Sequence, residues 1–91
     1  MVMTATNEGR VVQIIGTVLD VEFPPDHLPA VNNAVNVIMD DGKELVTEVQ
    51  QHLGNNWVRC LAMDSTDGLR RGARAVDTGN AIAVPVGEKS L

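Results

Sequence analysis

The chain has 91 residues, an apolar share of 44%, one Phe, one Trp, no Tyr and a net charge of −5. That length holds one small domain, marginal when alone, and the composition excludes an intrinsically disordered chain. The acidic balance opposes a polyanionic partner except at a local basic patch, and the single cysteine, Cys60, excludes an internal disulfide and fits a reducing compartment.

In chain order, "MVMTATNEGR" has neither the cationic start and apolar run of a secretory signal nor the Arg-rich character of a transit peptide. No apolar stretch is long enough to span a bilayer, so the expectation is a soluble chain that meets a membrane only through partners. Residues 1–8 read as a flexible tail, 9–87 as the folded domain and 88–91 as the start of a linker. "RVVQIIGTVLDVEF" reads as one long β-rich run, with Leu19, Val21 and Phe23 facing inward and Asp20 and Glu22 outward. Gly16 interrupts it and predicts a bulge or sharp bend. Pro24, Pro25 and Pro29 mark a loop.

"VNVIM" places Val35, Val37 and Met39 on one face, and Asp41-Gly42 predicts a hairpin into "ELVTEVQQ". There Leu45, Thr47 and Val49 oppose Val46, Glu48 and Gln50. Gly54 to Asn56 form the next turn, and "WVRCLAM" puts Val58, Cys60 and Ala62 on one side. The turn-forming "DSTDGLRRG" follows, and "AIAVPV" closes the series with Ile82, Val84 and Val86 alternating with Ala81, Ala83 and Pro85. About six short strands and no amphipathic helix predict an all-β fold, a small closed antiparallel barrel.

Catalytic patterns are missing. There is no G-x-S-x-G elbow and no Cys-His pairing signal, and His27, His52 and Cys60 lack metal-ligand spacing. The carboxylates Asp20, Glu22, Asp40, Asp41, Glu44, Glu48, Asp64 and Asp67 read as a solvated face rather than an acid pair. "VGEKSL" imitates the end of a phosphate-binding loop, but Glu88 separates Gly87 from Lys89 and no glycine stands at the upstream spacing. Trp57 beside Arg59 is the one stacking candidate for a single strand of nucleic acid, with packing under a loop as its more ordinary role.

Four stretches, in order, carry a family resemblance: "RVVQIIGTVLDVEFP" (Arg10 to Pro24), "ELVTEVQQHLG" (Glu44 to Gly54), "VRCLAMDSTDGLRRG" (Val58 to Gly72) and "IAVPVG" (Ile82 to Gly87). The chain resembles the N-terminal β-barrel domain of the β subunit of the F-type ATP synthase. "DGLRRG" and the Val49-Gln50-Gln51 element point to the catalytic β subunit over its α relative, and over the barrels of vacuolar-type and flagellar ATPases and the Rho helicase. "GNNW" (Gly54 to Trp57), Cys60 and "VNNAVNV" depart locally from the family pattern.

The resemblance implies a collar role. Barrels of alternating α and β subunits would join in a ring at the end of the hexamer farthest from the membrane. The parent would be an ion-transporting translocase of a peripheral membrane complex, making ATP from ADP and phosphate on a proton or other ion gradient. ATP, ADP and magnesium would be held by a central domain downstream. Its P-loop lysine and threonine, catalytic glutamate and Walker B aspartate have no counterpart in these residues, so no catalytic, cofactor-binding or metal-binding residue is expected here. The expectation is an excised, non-enzymatic domain of a longer protein. An unprocessed start tilts the parent toward a bacterial or plastid-encoded subunit on the cytoplasmic side of the inner or plasma membrane.

Gly16, Gly42, Gly68 and Gly72 are the expected turn and bulge positions. Leu69 is expected to plug the core, leaving Arg70, Arg71 and Asp67 as the candidate subunit interface. An intramolecular reading, with Asp64 or Asp67 beside the arginines, stands next to the intersubunit one, and a phosphate site comes third. Two rivals from other classes remain: a barrel for single-stranded nucleic acid and a free-standing binding barrel.

Overall fold

The computed structural model describes residues 7–81. Six antiparallel strands close into a barrel in the order β1-β2-β5-β4-β3-β6. They are β1 (Asn7–Ile15), β2 (Val18–Glu22), β3 (Asn33–Ile38), β4 (Glu44–Gly54), β5 (Trp57–Ala62) and β6 (Arg74–Ala81). No helix occurs among the described residues. Closure pairs every strand on both sides, so the sheet has no free edge.

The interior follows the alternation of the sequence. Leu19, Val21, Phe23, Val35, Val37 and Leu45 are buried, as are Val49, Val58, Cys60 and Ala62. A chain this small has one core, and here it is the barrel lumen filled with β-branched side chains. Thr47 shares that interior, and its hydroxyl is satisfied by donating to the Val35 carbonyl at 2.8 Å.

Four local readings are corrected. The run from Arg10 to Phe23 is a hairpin rather than one bent strand: Ile15 pairs with Val18, and Gly16 takes φ +61° at the first position of a two-residue turn. The irregularity within β1 falls between Val11 and Gln13 instead. The sixth described strand is Arg74–Ala81, a segment that the sequence pattern had not marked, whereas the strand expected over "AIAVPV" lies almost wholly outside the described residues, as does the linker 88–91. At the other end, β1 takes in Asn7 and Glu8, which had been read as tail.

The remaining turns follow their residues. Asn55 and Asn56 both adopt positive φ between Gly54 and Trp57, the two-residue geometry that fits the twist of β4 and β5. The β3–β4 connection closes with Gly42 at φ +88°, its N–H donating to the Met39 carbonyl.

Candidate interaction surface

The "DGLRRG" segment lies between β5 and β6 and is tied down on two sides. Thr66 donates its hydroxyl to the Gly16 carbonyl at 2.7 Å. The Gly72 N–H donates to the Val11 carbonyl at 2.7 Å, and the Val11 N–H donates to the Ala73 carbonyl at 3.0 Å. The loop therefore leans on the β1–β2 hairpin and on the irregular stretch of β1. Gly68 and Gly72 adopt φ +85° and +89°, values that a side chain would strain. Leu69 packs against the core between them.

Arg70 and Arg71 are both exposed. Arg70 Nε pairs with Asp40 at 3.1 Å, across to the β3–β4 connection, and not with Asp64 or Asp67 as the intramolecular reading had it. Both partners are mostly solvated, so the pair contributes little to stability. Asp67 donates its backbone N–H to Ser65 Oγ and lines a surface groove of about 410 Å³ with Met39, Asp41, Glu44, Met63 and Asp64. The loop thus brings Asp67 and Arg70 to one end of the barrel, while Arg71 makes no ion pair among the described residues.

The sequence had placed Asp20 on the solvated face. It is instead buried, and register explains why: Asp20 on β2 stands directly opposite Arg59 on β5. Arg59 Nε and a terminal guanidinium nitrogen donate to the two carboxylate oxygens at 3.0 and 3.2 Å, and Gln13 adds a donor at 3.3 Å. Those hydrogen bonds, with the carboxylate charge, push the guanidinium pKa of Arg59 up. Arg59 is therefore committed inside its own chain, which leaves half-buried Trp57 without a free arginine beside it for stacked bases.

A second strand-to-strand pair joins Arg74 on β6 to Glu8 on β1 at 2.5 Å. The Arg74 hydrogen bond holds the Glu8 carboxyl below the usual carboxylate range. Cys60 lies in the core, where burial pushes its thiol up to about 11, far from a reactive thiolate at neutral pH. His52 Nε2 lies 2.7 Å from the Pro29 carbonyl, and the His27 carbonyl accepts a bond from the Asn7 side chain.

Among the described residues no group of three or more His, Cys, Asp or Glu is arranged to hold an ion. No helix N-terminus is present among them to receive a phosphate. What the fold defines is a closed barrel whose outer surface carries an acidic groove. The chain belongs to the ATP synthase alpha/beta family, whose beta-barrel domain matches residues 11–79. No described helix is long and apolar enough to cross a membrane.

Proposed function

We propose that the chain is the barrel of a catalytic β-type subunit and serves as a building block of the collar that joins alternating α and β subunits into a hexamer. The family match over residues 11–79 carries the reading. Within the family, the "DGLRRG" segment and the Val49-Gln50-Gln51 element favour the β type. The closed sheet supports it physically, because a rigid collar gives moving domains a fixed base. In this reading the barrel performs no chemistry. Nucleotide and magnesium belong to another domain of the subunit, and ATP synthesis driven by a proton or other ion gradient belongs to the assembled complex. That complex would sit on the cytoplasmic face of a bacterial membrane or its plastid equivalent, held there by its membrane sector.

Sedimentation velocity of the chain alone and mixed with an α-type subunit tests the reading. Alone it is expected to be monomeric or weakly associating; with the α-type subunit it should form a heavier mixed species. A stable homo-hexamer, or no mixed species at all, contradicts it. Tight, salt-sensitive binding to a labelled oligonucleotide would favour the nucleic-acid alternative instead.

A further inference from the structure

In a chain of net charge −5, exposed arginines have many carboxylates to choose from, yet two of them take none. Arg10 on β1 and Arg71 just ahead of β6 make no ion pair among the described residues. Register adds a cost. Arg10 stands directly opposite Arg74 on β6, and both are exposed on the outer wall. Like charges placed opposite each other in an antiparallel pair repel. Glu8 answers Arg74 from its flank, through two of the guanidinium nitrogens. On the other side of Arg10, Glu22 is its register partner on β2, but no ion pair joins the two.

Arg10 turns toward the loop instead. One of its terminal nitrogens donates a long bond of 3.4 Å to the Gly72 carbonyl, on the residue that follows Arg71. The Gly72 N–H is in turn fixed to the carbonyl of Val11, the chain neighbour of Arg10, at 2.7 Å. Held backbone thus brings Arg10, Arg71 and Arg74 to one seam between β1 and β6. A guanidinium carries five donors, so one neutral carbonyl leaves most of those on Arg10 facing water.

The spacing selects the kind of anion that would answer them. A carboxylate has two oxygens, and the fork of a single arginine fills both. Here two forks rise from opposed positions whose Cα atoms are about 5 Å apart, with a third arginine in the adjoining loop. A tetrahedral oxyanion has oxygens pointing several ways, so it can accept from more than one fork and screen one arginine from the next. We propose that Arg10 and Arg71, with the remaining donors of Arg74 beside them, form an oxyanion site that takes the phosphate dianion. The site is separate from the Arg70–Asp40 pair and does not depend on the collar reading.

The test is a titration of the chain with inorganic phosphate at low salt, followed by the backbone amide signals in NMR. Sodium chloride at matched ionic strength is the control for general screening. The signals of Arg10, Gly72 and Arg74 are expected to shift and saturate with a Kd of about 1 mM. Arg10→Gln and Arg71→Gln, each checked for folding by circular dichroism, should weaken binding by at least about threefold. Arg70→Gln should leave it unchanged, and Glu22→Gln should tighten it by removing a competing negative charge. Shifts that fail to saturate, or that sodium chloride reproduces, overturn the proposal. A loss smaller than about threefold in either folded arginine variant at the seam overturns it as well.

Discussion

Two arginine–carboxylate pairs of nearly equal length contrast the inside and the outside of this barrel. Arg59 and Asp20 meet at 3.0 Å, and Arg70 and Asp40 at 3.1 Å. The first carboxylate is 4% exposed and the second 67%. Asp20 depends on its donors, because water cannot replace them in the wall between β2 and β5. Asp40 and Arg70 trade one solvated state for another. Burial, not distance, separates a pair that holds the fold from one that is free to change partners, and the "DGLRRG" loop carries the second kind.

That contrast can be broken at several points. The largest effect is expected at Gly9, buried where β1 meets the end of β2. A Cβ there would collide with the Glu22 carbonyl oxygen, which the β1–β2 ladder holds in place, and press on the buried Phe23 ring. Gly9→Ala should lower stability by about 3 kcal/mol in a denaturant melt. A change near zero would mean the two strands part more easily than the ladder implies.

Asp20→Ala should cost about 2 kcal/mol, since it removes the acceptor of three donors while Arg59 can turn to water. Asp40→Ala, measured in the same way, is the matching control and should be nearly silent.

Cys60 reports on the same wall through pH. Its folded pKa of about 11 lies above the ordinary value of 9.0 because burial disfavours the thiolate. Between those values the unfolded chain releases the proton first, so it binds fewer protons than the folded chain and stability falls as pH rises. The contribution is intact below pH 9 and should shrink by about 1 kcal/mol at pH 10. Cys60→Ala should remove that slope whatever its cost at neutral pH, and an unchanged slope would reject the thiol as its source.

The smallest effect is expected at Arg70. Arg70→Ala should shift stability by less than about 0.5 kcal/mol. A loss as large as that of Asp20→Ala would make the exposed pair structural after all.

The barrel interior was legible because alternation is local. Leu19, Val21 and Phe23 announce one face, as do Leu45, Thr47 and Val49, and the Asp-Gly and Asn-Asn turns fix where the chain reverses. Features that depend on register were not legible. Asp20 alternates like a surface residue, and only its pairing opposite Arg59 brings it a buried partner. Gly9 looks like any glycine until β2 comes close. β6 escaped notice because Ala75 is its only fully buried side chain, too little for a periodic signal. Arg70 found Asp40 rather than a carboxylate in its own loop because the β3–β4 connection folds back to that end of the barrel.

The most direct test of the collar account is amide hydrogen exchange of the chain with and without an α-type subunit. The account predicts slower exchange over part of the barrel's outer wall in the partner's presence. Exchange that stays the same throughout would contradict it.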